Sequence, residues 1–150
     1  MAPVALRTWR NTILCADNSG EVQGRDWIGP WDLFTLDHYH ADDGSVRTAL
    51  KTWNAKNVSA KWDGGLSIAS ECGDWQKFTI LEVEDGEVSG EMKAPRAGGA
   101  GGAREVKVAL KTAFGTYVSY RMSGRFEQAP TLGPWEVFTM LVDPVQTFKG

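Results

Sequence analysis

At 150 residues the chain suits a single domain with one core, and a formal charge of −3 excludes an overall basic nucleic-acid footprint. Nothing approaches the roughly 18 continuous apolar residues of a membrane span. Apolar residues at 42% are ordinary for a globular protein, but seven Trp and 17 Gly are high, which favours an all-β fold of short strands and tight turns.

One segment recurs along the chain. Val4-Ala5-Leu6-Arg7-Thr8 opens the first copy, which turns at Arg10-Asn11, passes Leu14-Cys15-Ala16, turns at Asn18-Ser19-Gly20 and reaches Gly29-Pro30-Trp31-Asp32-Leu33-Phe34. The second copy opens with Thr48-Ala49-Leu50-Lys51-Thr52. It turns at Asn54-Ala55 and Asp63-Gly64-Gly65, with Val58-Ser59-Ala60 between them, and reaches Gly73-Asp74-Trp75-Gln76-Lys77-Phe78. In the third copy, Val106–Thr112 alternates apolar and polar residues as a half-buried strand does. Phe114-Gly115 turns, Thr116–Arg121 returns, Met122-Ser123-Gly124 turns again, and Arg125–Gln128 is a short strand. Gly133-Pro134 breaks the chain before a fourth strand, Trp135–Val142.

Ala5 to Trp31, Ala49 to Trp75 and Ala109 to Trp135 are each 26 residues apart. The copies start 44 and then 60 residues apart, and the extra 16 residues fall between Trp75 and Ala109. Ala94–Ala103 is too rich in Gly and Ala to pack a core and suits a surface loop. The expected organisation is one domain over 1–150, with repeats at about 4–46, 47–90 and 106–148 and an insertion at 91–105. A single unit cannot bury a large aromatic alone, so Trp31/Phe34, Trp75/Phe78 and Trp135/Phe138 are expected to share one core.

Three units of four strands with a repeated aromatic resemble the β-trefoil. The Ala-Leu-Lys-Thr and Gly-x-Tyr-Val-Ser pattern at Val108–Ser119 is similar to the fascin and hisactophilin branch. That resemblance implies a six-stranded barrel capped by three hairpins, and it suggests actin binding. The chain departs from hisactophilin-like proteins in having only His38 and His40, and from ricin-type lectins in lacking Gln-x-Trp. No sugar-binding residue transfers from the latter family.

Trp9, Trp27, Trp53 and Trp62 do not recur in all copies; the third copy has Ala113 where Trp9 and Trp53 stand. Their readings are local packing beneath loops, or platforms for sugar rings and protein partners. Trp62-Asp63 is the leading pair, because a carboxylate beside an indole can accept sugar hydroxyl protons. Trp53, Trp9, Asn18 and Trp27 complete the candidate ligand set.

His38-Tyr39-His40 could place two imidazoles on one strand face, but the aligned Glu82 and Glu84 favour a solvated face over a metal site. Cys15 and Cys72 are expected to be free packing cysteines. Asn57-Val58-Ser59 is a glycosylation sequon inside an expected strand. Lys107, Lys111, Arg121 and Arg125 make the third copy the most basic, as a solvated face or a contact for an acidic partner.

No nucleophile elbow or phosphate loop occurs, so a non-catalytic module without cofactor or metal is expected. The first expectation is a lectin-like domain with a glycan or oligosaccharide partner. The alternative is a fascin-like partner of filamentous actin, and a protease inhibitor is a third possibility. The N-terminal residues carry no apolar signal region, which predicts a cytoplasmic protein; a secreted form with its signal removed is the other reading.

Overall fold

The computed structural model describes residues 3–16, 22–92 and 104–142. The chain is all-β, with three short 3-10 turns as its only helical elements among the described residues. No helix among them is long and apolar enough to cross a membrane.

Each copy runs strand, strand, strand, 3-10 turn, strand. The first holds β1 (Val4–Arg7), β2 (Ile13–Ala16), β3 (Val22–Arg25), the turn Pro30–Asp32 and β4 (Thr35–His40). The second holds β5 (Val46–Lys51), β6 (Asn57–Ala60), β7 (Leu66–Ala69), the turn Asp74–Gln76 and β8 (Thr79–Glu84). An additional strand, β9 (Glu87–Glu91), follows. The third holds β10 (Arg104–Lys111), β11 (Tyr117–Tyr120), β12 (Phe126–Ala129), the turn Pro134–Glu136 and β13 (Phe138–Val142).

β1 pairs with β13, β13 with β10, β10 with β8, and β4 with β5, all antiparallel. Isolated bridges join Val4 to Phe34 and Thr48 to Phe78. Each of β1, β4, β5, β8, β10 and β13 thus neighbours the next around a ring. The second and third strands of each copy form hairpins beside it.

The first turn of each copy has one geometry. Thr8, Thr52 and Thr112 each accept a backbone bond from the residue three positions on. That residue is Asn11, Ala55 or Gly115, all at positive φ. Asn and Gly tolerate this left-handed backbone, and Ala55 is held there by the turn bonds on either side.

The core repeats as the turns do. Leu6, Leu50 and Leu110 form one set of buried equivalents, and Leu14, Val58 and Val118 a second. Leu36, Ile80 and Met140 form a third. Phe34, Phe78 and Phe138 are the largest fully buried side chains. The third copy is the bulkiest, with Tyr120 where the others have Ala16 and Ala60, and with Phe126 packed against Tyr120. Gly24 answers that bulk: a Cβ there would stand 2.8 Å from the Tyr120 hydroxyl.

The tryptophans predicted for this core lie outside it. Trp31, Trp75 and Trp135 sit in the 3-10 turns rather than in the fourth strand, and Trp75 is 44% exposed. The residue after each Trp is polar and buried instead: Asp32, Gln76 and Glu136. Each accepts the N–H of the Gly opening its turn, from Gly29, Gly73 and Gly133. Each also ties to the second strand. Gln76 donates to Ser59, Ser119 donates to Glu136 at 2.5 Å, and Asp32 bonds Cys15. Turning the polar side chain inward turns the neighbouring indole out.

This arrangement predicts that Glu136→Gln, which copies the second repeat, changes stability by less than about 1 kcal/mol. Glu136→Leu leaves the Gly133 N–H and Ser119 hydroxyl unpaired and should cost roughly 2–4 kcal/mol in urea unfolding. Equal costs for the two variants would contradict a hydrogen-bonding role.

The insertion also differs from its sequence reading. Residues 104 and 105 belong to β10, and β9 extends the second copy as a strand paired to β8. The Gly-rich 94–103 lies outside the described residues.

Candidate functional site

Each outward indole meets an aromatic from the first hairpin turn of the following copy. Trp31 packs edge-on to Trp53 at 5.1 Å, Trp75 is tilted against Phe114 at 5.3 Å, and Trp135 stacks with Trp9 at 6.0 Å and 17°. The third copy therefore supplies its aromatic from Phe114, one residue beyond the aligned Ala113. Trp9 and Trp53 are members of a three-fold set that a residue-for-residue alignment conceals.

The Trp9 member opens onto a groove. One cleft of about 670 Å³ is lined by residues that include Trp9, Glu84, Asp85, Lys107, Pro134 and Thr139. An adjoining cleft of about 360 Å³ shares Thr8, Trp9, Lys107 and Thr139 and adds Arg7, Asn11 and Glu105.

Strand divergence creates this groove. The N-terminal part of β10 pairs with β13, as far as Val108↔Phe138, whereas its C-terminal part pairs with β8 from Val108↔Glu82 onward. On its other edge β8 pairs with β9 from Leu81↔Glu91 to Glu84↔Glu87, with a register shift at Glu82/Val83, and it has no β10 partner beyond Glu82. The β8–β9 turn is Asp85-Gly86, with φ of 52° and 81°, the primed hairpin geometry that an Asp-Gly pair favours. It places Glu84 and Asp85 along the same cleft as Trp9.

Trp9 itself is fixed. Its indole N–H donates to the Tyr120 carbonyl at 2.7 Å, and the Arg10 guanidinium lies 5.7 Å from its ring centroid. Arg7 is engaged with Glu105 at 2.7 Å. Lys107 is exposed and has no ion-pair partner among the described residues. Chemically the groove offers an aromatic face, two carboxylates as acceptors, an ammonium and a hydroxyl as donors.

The other predicted residues lie elsewhere. Trp62 is 77% exposed in the β6–β7 turn. Its neighbour Asp63 accepts the Gly65 N–H, pairs with Lys61 at 3.6 Å, and lines a separate depression of about 620 Å³ with Gln23, Ser67, Arg125 and Glu127. Trp53 is 66% exposed beside Trp31. Trp27 lies under the Arg25 guanidinium at 3.8 Å and against Gly29, where a Cβ would collide with its ring at 2.5 Å. Arg25 in turn binds both carboxylate oxygens of Asp32, at 2.6 and 3.4 Å. Burial pushes the Asp32 carboxyl above its ordinary pKa, against the pull of Arg25. Asn18 lies outside the described residues. None of the four clefts described brings two of the predicted tryptophans together.

His38 bonds Thr48 through Nδ1 at 2.9 Å, while its Nε2 is buried without a hydrogen-bond partner. Burial, reinforced by His40, pulls its pKa below the usual imidazole value. No cluster of three or more metal-ligating side chains occurs among the described residues. Cys15 is buried as expected. Cys72 is exposed, with its thiol 3.4 Å from the Tyr39 hydroxyl, so it is not a packing cysteine. Asn57 is buried in β6, where its amide donates to the Glu71 carbonyl at 3.0 Å.

From the sequence, Glu84 reads as a solvated charge and Lys107 as a solvated charge or a contact for an acidic partner, and nothing singles out Asp85 or Thr139. The Asp85-Gly86 pair between two alternating segments was the available signal for the hairpin.

No family model matches the chain, and no curated protein matches it. Among solved structures, the chain is similar to SeviL bound to asialo-GM1 saccharide. That match has a TM-score of 0.67 and 7% sequence identity, and covers 93% of this chain and 96% of the other. At that identity the likeness speaks for the fold.

Proposed function

We propose that the chain is a single β-trefoil of three repeats and a non-catalytic carbohydrate-binding module, with its site in the Trp9 groove. The observation that carries this reading is an indole fixed by a hydrogen bond that lines one cleft with two carboxylates, Glu84 and Asp85, at the end of β8 and in the turn after it. Sugar rings present apolar C–H faces that stack on aromatics, and hydroxyls that donate to carboxylates. The ring of six strands with hairpins beside it supports the trefoil part of the proposal. The saccharide named with SeviL supports the ligand class. A groove this open gives modest affinity for one ligand, which multivalent display would strengthen.

The test is a titration of intrinsic tryptophan fluorescence with a panel of oligosaccharides that includes asialo-GM1 saccharide, run in parallel with filamentous actin. A saturable, saccharide-specific shift is the expected result. A response to actin and to no saccharide would replace this reading with a cytoskeletal one.

A further inference from the structure

The repeats make three aromatic pairs, yet the acidic side of the Trp9 cleft has no counterpart where it can be compared. The equivalent place between the first and second copies is the β4–β5 connection. There β4 stays paired with β5 through His40↔Val46 and closes by a short loop, residues 41–45. No bulge releases it, and no added strand follows. Between the second and third copies β8 leaves β10 after Glu82, and β9 carries the acidic turn outward. The groove depends on the β8–β9 hairpin, which has no counterpart at the β4–β5 connection. Its two clefts also lie against one indole, with Glu84 and Asp85 lining one and Asn11 and Glu105 the other, and both reach Lys107.

Resting on the carbohydrate reading, we propose that the chain binds one oligosaccharide, and not three monosaccharides, in this groove. The β8–β9 hairpin determines its specificity. One sugar unit stacks on Trp9 and is held by Glu84 and Asp85. The next unit extends past Lys107 toward Asn11. The hairpin is preorganised by its primed turn, so little ordering cost opposes binding. The pairs Trp31/Trp53 and Trp75/Phe114 then serve to lock neighbouring repeats together.

Isothermal titration of the intact protein tests this, using the best saccharide of the fluorescence panel and its constituent monosaccharides. One site per chain is expected, with each monosaccharide binding at least about tenfold more weakly. A Glu84→Gln/Asp85→Asn variant should lose about tenfold or more in affinity, because charge-assisted hydrogen bonds become neutral ones. Asn also tolerates the positive φ of position 85, so the turn should survive, as unfolding curves can verify. Phe114→Ala, at the equivalent aromatic pair, should leave affinity within about twofold. Two or three sites per chain, equal affinity for a monosaccharide, an unaffected acidic variant, or an equal loss in Phe114→Ala would each overturn the inference while leaving carbohydrate binding standing. Absence of binding to any saccharide would overturn both.

Discussion

Phe138→Ala is expected to remove about 3–5 kcal/mol of folding stability, the cost of emptying a fully buried aromatic site. Domains of this size have about 5–15 kcal/mol in total, so the variant should be close to unfolded at 37 °C. Phe34→Ala and Phe78→Ala remove the same group from the same core, but among the described residues Phe138 alone of the three packs against another ring, that of Phe126. Their centroids are 6.3 Å apart with the rings 15° from parallel, and Phe126 continues to Tyr120 at 4.7 Å. The third-repeat variant should therefore be the most destabilised of the three, and Phe138→Leu should recover most of the loss. Equilibrium urea unfolding of the full chain measures all four. A cost below about 1 kcal/mol for Phe138→Ala would mean that the three phenylalanines are not the shared core.

The phenylalanines were legible because burial and repetition coincide in them. The tryptophans three positions earlier repeat just as faithfully and yet face outward. A repeat pattern reports that a position is constrained, not which way it points. The direction was written in the next residue. A polar side chain at 32, 76 and 136, each preceded by Gly three positions earlier, marks a turn that bonds its own opening N–H. Ser59 and Ser119 add partners in strands that otherwise read as apolar. Strand periodicity gave no reason to bury those groups, because a short 3-10 turn has too few residues to show a period.

Turn register misled in a second way. Position 113 aligns with Trp9 and Trp53 and carries Ala, so the tryptophans looked unrepeated. Space is filled by side chains, not by alignment columns, and Phe114 reaches Trp75 from the neighbouring turn position. The groove was less legible still. It takes Trp9 from the first copy, Glu84 and Asp85 from the second, and Lys107 and Thr139 from the third. Only pairing across the ring brings them together, and pairing between copies leaves no spacing rule in the sequence. The same holds for Trp62-Asp63, whose attraction was purely local. Asp63 meets Gly65 and Lys61, and its cleft does not include the indole beside it.

Trp9→Ala should lower saccharide affinity by roughly tenfold to a hundredfold, the scale of an anchoring aromatic at an interface. The variant removes three things together: the face toward the groove, the stack on Trp135, and the N–H bond to the Tyr120 carbonyl. Trp9→Phe separates them. Phenylalanine keeps a ring for sugar C–H groups and for Trp135, but it cannot donate to Tyr120. If the indole acts as a platform, Trp9→Phe should keep affinity within about fivefold of the parent, while the lost hydrogen bond costs about 1 kcal/mol of stability. If Trp9 only ties the first copy to the third, both variants should lose stability and neither should change affinity once folded. Binding measured by titration, with stability followed in the same samples by urea unfolding, separates these outcomes. Unchanged affinity in a folded Trp9→Ala chain would move the site away from this groove. It would return attention to Trp62, whose indole is exposed beside the cleft that Asp63 lines.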